Sequence, residues 1–239
     1  MLVSDRQKNI LLHLIGEYVK SAEPVASSDL AKKFKVSSAT MRNEMVDLEK
    51  AGYLHQPHTS AGRVPTDKGY RFYINKFEAT KVNTGVERKV GRQIQKGVSE
   101  HTGNLDRLFS ILVREMAEAT GSLAIARMLE SGSVFDSGLE KMLKEPEFVE
   151  KEDFLEAADH ISELREELET LFDEASGKTV IFVGKENPIA GLDEYSLIVS
   201  GVSSGGQKVV YGLFGPKRMR YDRNTALVQY INNLINESI

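Results

Sequence analysis

Residues 37–73 read SSATMRNEMVDLEKAGYLHQPHTSAGRVPTDKGYRFY, and this stretch decides the architecture. Ser37 or Ser38 can cap a helix through a side-chain oxygen. Ala51-Gly52 supplies the stop, since glycine commonly follows a helix end. At 100° per residue, Met41, Met45 and Leu48 fall within about 60° of one another and face a core. Ala39, Asn43, Val46 and Lys50 point the other way, with Thr40 and Arg42 on the shoulders. The outward face near the helix start is therefore small and polar. Such a face fits the major groove of duplex DNA, where Asn pairs with adenine, Arg with guanine, and Ala touches a thymine methyl. The first amides of the helix, at Ser37 and Ser38, are placed to receive a phosphate.

After Gly52, the turn-forming run His55 to Gly62 lies between two short extended pieces and reads as a hairpin. His58, Thr59 and Ser60 sit on it, and the two hydroxyls suit phosphate oxygens. Arg63 follows Gly62, a residue that allows close backbone approach. An arginine on such a tip suits a narrow, electronegative minor groove. Thr66-Asp67 caps a further helix whose Lys68 and Arg71 are candidates for backbone contact. His55 and His58 lack cysteine or a third ligand nearby, so no metal site is expected.

Working upstream, Ile10, Leu11, Leu14, Ile15, Tyr18 and Val19 form an i, i+3, i+4 stripe over residues 5–20. Glu23-Pro24 breaks the chain. Ser27 and Ser28 can cap a short helix through about Phe34. A tight turn at Lys35-Val36-Ser37 leads into the helix above, so the spacing is helix-turn-helix. Charge follows the same division. Residues 1–77 hold 12 Lys+Arg against 8 Asp+Glu, whereas the rest of the 239-residue chain holds 19 against 27. A basic front and an acidic back suit a chain whose front alone meets phosphate. No apolar run is long enough to span a bilayer. The first residues lack the apolar stretch of a signal peptide. Cysteine is absent, which excludes disulfides and thiolate metal sites. These features point to the cytoplasm.

Downstream, Leu105, Leu108, Phe109, Leu112, Val113 and Met116 mark a strongly amphipathic helix. Val86, Val90, Ile94 and Val98 make a thinner stripe before it. Over residues 152–174, Phe154, Ile161 and Leu168 share one heptad position, and Ala157, Leu164 and Leu171 another. This reads either as a coiled-coil seam or as a helix packed on a C-terminal sheet, with Glu163, Glu166, Glu167 and Glu169 on its solvated flank. On the first reading Leu105, Leu108, Leu112, Phe154, Ile161, Leu164, Leu168 and Leu171 are the dimerisation candidates. Strands are expected near 122–126, 133–136, 180–183, 196–199 and 208–214, the last two joined at Gly205-Gly206. A helix from Asn224 to about Asn236 closes the chain. The fold class is α+β. Its parts are a winged helix-turn-helix over 1–77, a helical linker over 78–120, and a small antiparallel sheet with helices over 121–239.

One basic cluster lies outside the front end: Lys217, Arg218, Arg220 and Arg223. It fits an anion, a nucleotide or DNA phosphate, or internal pairing with the acidic helix at 152–174. A small-molecule gate near Lys185, Glu186 and Arg218 is the alternative to a plain DNA-binding protein. No P-loop or H-E-x-x-H occurs, and the acids show no paired acid–base arrangement. Neither catalysis nor a cofactor is expected.

The segment SATMRNEMVDLEKAGYLHQPHTSAGRVPTDKGYRFYINKF resembles the winged-helix end of the HrcA family of bacterial heat-inducible transcription repressors. DSGLEKMLKEPEF at 136–148, VIFVGKEN at 180–187, YSLIVSGVS at 195–203 and GLFGPKRMRY at 212–221 are similar to its later signatures. The resemblance implies a dimeric repressor of chaperone operons that binds an inverted repeat in double-stranded DNA, with chaperonin as a further partner. Its recognition-helix positions fall on Ser38, Ala39, Thr40, Arg42 and Asn43, and its wing positions on His58, Thr59, Ser60 and Arg63. The family is typically longer, with a GAF-like domain interrupted by an inserted dimerisation domain. Here only about ten residues separate the expected strands at 122–126 and 133–136. The resemblance therefore implies a reduced GAF-like domain without the usual dimer interface.

Overall fold

The computed structural model describes residues 3–78, 91–92, 105–148, 151–204 and 206–238. The stripe Val86, Val90, Ile94 and Val98 lies outside them. The chain divides into two units, Met1–Thr80 and Lys81–Ile239.

The first unit opens with α1 (Asp5–Ser21), held at its start by a reciprocal cap in which Ser4 and Gln7 bond each other's backbone. Ile10, Leu11, Leu14, Ile15 and Val19 are buried, as the stripe requires. The next helix, α2 (Ser27–Phe34), begins at Ala26 with no side-chain cap, so neither Ser27 nor Ser28 plays the expected part. Lys35 adopts a left-handed conformation (φ 54°) and turns the chain into α3 (Ser38–Lys50). Met41, Met45 and Leu48 face inward. Two short strands, β1 (Leu54–His55) and β2 (Val64–Pro65), pair antiparallel. Thr66 then caps α4 (Asp67–Glu78), accepting from Gly69 N at 3.2 Å, while its hydroxyl donates to Gly52 O at 2.6 Å.

The second unit is a five-stranded sheet between two helical layers. Its strands are β3 (Leu123–Met128), β4 (Val134–Ser137), β5 (Thr179–Val183), β6 (Tyr195–Ser204) and β7 (Gln207–Pro216). Every pairing is antiparallel and the order is β4-β3-β7-β6-β5. Side chains alternate across the sheet. Ser196, Ser200 and Tyr211 face one side, where α5 (Leu105–Thr120) and α9 (Tyr221–Ser238) pack. Phe109 of α5 meets Tyr211 at 5.6 Å between ring centroids, and Tyr221 of α9 bonds Ser196 at 2.5 Å. Leu197, Val199, Val210 and Phe214 face the other side, under α7 (Lys151–Glu167) and the two turns that follow it, 168–171 and α8 (Phe172–Ala175). A short α6 (Leu139–Met142) adds Met142 to that layer. Gly212 sits mid-sheet, where a Cβ would lie 2.0 Å from Ile198 O.

One expectation is corrected here and one open alternative is decided. Residues 105–120 are not linker: α5 packs against β3 and β4 and belongs to the second unit. Of the two readings of the heptad stripe, the helix packed on the C-terminal sheet is the one the structure has, so the described dimerisation candidates on it are core residues. Ile161, Leu164, Leu168 and Leu171 are buried in the second unit's own core, as are Leu108 and Leu112 of α5. Leu105 is half-buried, and the Phe154 side chain lies outside the described residues. A heptad stripe and a sheet-facing stripe look alike over about five turns, and the apolar sheet face supplies the partner. No helix among the described residues is long and apolar enough to cross a membrane.

Candidate nucleic-acid interface

The start of α3 is fixed by its cap. The Ser37 hydroxyl accepts from Thr40 N at 3.0 Å and bonds the Thr40 hydroxyl at 2.8 Å. With Met41 and Met45 anchored inward, Ser38, Ala39, Thr40, Arg42 and Asn43 are all exposed on the first half of the helix. Glu44 on the flank pairs with Arg6 at 3.3 Å. Among the described residues Arg42 makes no ion pair. Ser37→Ala is expected to cost about 1 kcal/mol of local stability. The readout is faster hydrogen exchange at the first-turn amides of α3; unchanged protection there would contradict the role of the cap.

The wing loop is organised from inside. Gln56 Nε2 donates to Thr59 O at 3.0 Å and to Ala61 O at 2.9 Å. Ala61 N donates to His58 O at 2.8 Å, and the Ser60 hydroxyl lies 3.3 Å from His58 Nδ1. His58, Thr59 and Ser60 are exposed on the tip. Between wing and helices lies a groove of about 650 Å³. Ser38 and Arg42 of α3, Thr59 and Ser60 of the wing, and Ser27 and Ser28 of α2 contribute to its lining.

Arg63 does not stand on the tip. It bridges back to Val25, N to O at 2.9 Å and O to N at 3.0 Å. Its guanidinium bonds Glu49 of α3 at 2.9 Å and is only 12% exposed. The close approach that Gly62 permits is likewise internal, since a Cβ there would lie 2.3 Å from Val25 O. Lys68 stays exposed but folds back on its own domain, donating to Ala51 O at 2.8 Å with its ammonium 4.4 Å from the Tyr53 ring centre. It satisfies a carbonyl at the end of α3. Arg71 is half-buried on α4. Sequence reasoning passed over Gln56 and Glu49. Both are ordinary polar residues whose partners are set by the folded loop.

Three of the four basic residues clustered in the second unit are held by partners other than the acidic helix, while Arg220 is exposed. Lys217 pairs with Glu194 at 2.8 Å, Arg223 donates to Thr120 O at 2.7 Å, and Arg218 is clasped by Glu145 and Glu147. Burial works against the Arg218 charge, but hydrogen bonds and attraction from Glu147 and Glu145 outweigh it and hold the guanidinium above its usual range. None of these partners is on α7. The ligand gate around Lys185, Glu186 and Arg218 thus loses its one arginine to internal pairing. On the acidic flank, Glu169 pairs with Arg127 at 2.8 Å. Gly201-Val202-Ser203-Ser204-Gly205 has the spacing G-x-S-x-G. Its first four residues end β6, which pairs antiparallel with β7, so Ser203 lies within a strand and not on the strand-to-helix turn that a nucleophilic serine needs.

A helix-turn-helix with its second helix exposed, followed by a hairpin folded beside it, defines a winged-helix DNA-binding protein. Residues 2–78 match the model of the winged helix-turn-helix transcription repressor, HrcA DNA-binding, and residues 71–224 match the HrcA protein C terminal domain. The chain belongs to the HrcA family of heat-inducible transcription repressors. The heat-inducible transcription repressor HrcA of Thermoanaerobacter pseudethanolicus is 41% identical over 130 residues, covering 54% of this chain and 36% of that protein. That of Ruminiclostridium cellulolyticum is 27% identical over 342 aligned positions, covering 100% of this chain and 98% of that protein. The aligned span exceeds the 239 residues here, so this relative carries residues within it that have no counterpart. A crystal structure of a hypothetical protein shares the fold, with TM-score 0.76 and 22% identity over 99% of this chain and 98% of that one.

Proposed function

We propose that the chain represses chaperone operons in the cytoplasm by binding an inverted-repeat operator as a dimer, with chaperonin as a modulating partner. One observation carries the DNA contact: Ser38, Ala39, Thr40, Arg42 and Asn43 stand exposed on α3, whose Ser38 and Arg42 line a groove shared with the wing tip. Arg42 and Asn43 are the base readers in this reading, and Thr59, Ser60 and His58 hold the sugar–phosphate strand. Six of the expected dimer residues are core, so the dimer contact comes from other surfaces of the second unit.

Binding to a duplex carrying the inverted repeat upstream of chaperonin genes is expected to fall steeply with salt, with a slope in log–log form of about −0.9 per neutralised phosphate. Gel shift or anisotropy across a salt series reads this, and a flat response would remove the interface. Light scattering of the free and DNA-bound chain reads the dimer; a monomer in both states would overturn it. Adding chaperonin to the same assay tests that partner, and unchanged operator affinity would reject it.

A further inference from the structure

We infer that Arg63 is a positioning residue of the DNA interface, acting through Glu49 as a strut that fixes the gap between α3 and the wing. The inference rests on the DNA-binding reading above. Arg63 is pinned by both of its backbone polar groups to Val25, and the Gly62 backbone lies too close to Val25 O to admit a side chain. The backbone here cannot swing outward without breaking that bridge. The side chain runs to the last turn of α3, where Nε meets Glu49 Oε2 at 2.9 Å, with Glu49 33% exposed. A pair this sheltered is screened less than one on the open surface. The guanidinium's fixed planar fork also loses less freedom on pairing than an ammonium would. Arg63 lines the groove, and the Gln56 bonds to Thr59 O and Ala61 O stiffen the wing loop that borders it. The wing therefore meets DNA already ordered, which spares the cost of ordering it at binding.

The test compares the full chain with Arg63→Met, Glu49→Ala and the double variant, on a labelled chaperone-operon duplex and a scrambled duplex of equal length. The strut predicts that Arg63→Met weakens binding to both duplexes by about tenfold with the salt slope unchanged. An arginine on phosphate would instead lower the slope by about one, and that result would overturn the proposal. Glu49→Ala carries the sharper sign. Removing a carboxylate beside a phosphate strand tightens binding on charge grounds alone, whereas loss of the strut weakens it. Tighter binding sinks the idea. The double variant is expected to bind no more weakly than the worse single variant, because both remove one interaction; additive losses reject it. Hydrogen exchange on the DNA-free chain separates the two readings. If the parent binds no duplex, the DNA-binding reading fails, and the strut is still judged by whether the Val25 and Arg63 amides lose protection in Arg63→Met. Unchanged protection there overturns the strut.

Discussion

Leu164→Ala is expected to destabilise the second unit by about 2–5 kcal/mol, the range for removing a large buried aliphatic side chain. Leu164 is fully buried and belongs to the layer formed with Leu197, Val199, Val210 and Phe214. Truncation removes contacts to the sheet and leaves a cavity whose size depends on how far α7 settles. The readout is hydrogen exchange at the amides of β6 and β7, the central strands, whose slowest exchange reports opening of the whole unit. Light scattering on the same variant completes the test. A core residue changes stability and leaves the oligomeric state alone while the protein stays folded. A seam residue does the reverse: if Leu164→Ala shifts association while strand protection stays at the parent level, the burial of α7 on its own sheet is not what holds this helix.

Arg42→Ala is expected to weaken operator binding by about 1–3 kcal/mol, as for loss of one bidentate base contact. The side chain is exposed, lines the groove and makes no ion pair among the described residues, so nothing in the free protein has to be broken for it to reach DNA. Anisotropy on a set of operators with single base-pair changes decides its role. A reader of guanine loses preference at one position in each half-site. Equal loss on every duplex would reassign Arg42 to a phosphate, and no loss on any would remove α3 from the interface. Asn43→Ala provides the neighbouring control, with the lost preference expected at an adenine.

The front end was legible because its signals are local. The Ser37 cap, the stop at Gly52 (φ 79°) and the Thr66 cap each depend on residues close by in sequence. The inward set Met41, Met45 and Leu48 follows from helical period alone. The expected strands appear with extended ends: β6 and β7 run further than 196–199 and 208–214, and β3 reaches Met128. Elsewhere the same kind of signal misled. Ser27 and Ser28 looked like caps for α2, yet the helix starts at Ala26 without one. The heptad stripe over α7 and the turn after it suited two different partners.

The amino-acid sequence by itself determined which stretches form the main helices and strands, that the front end is a helix-turn-helix with a wing, and that α3 presents a small polar face. Capping, turn geometry and side-chain period act over a few residues, so they are written in the order of the chain. Only the tertiary structure decided what Arg63, Leu164 and Arg218 do. Their partners, Glu49 and Val25, the β6–β7 sheet face, and Glu145 with Glu147, lie on other elements and are fixed by packing. An arginine beside a glycine reads the same whether it ends in DNA or in a carboxylate of its own domain, and the fold supplied the carboxylate.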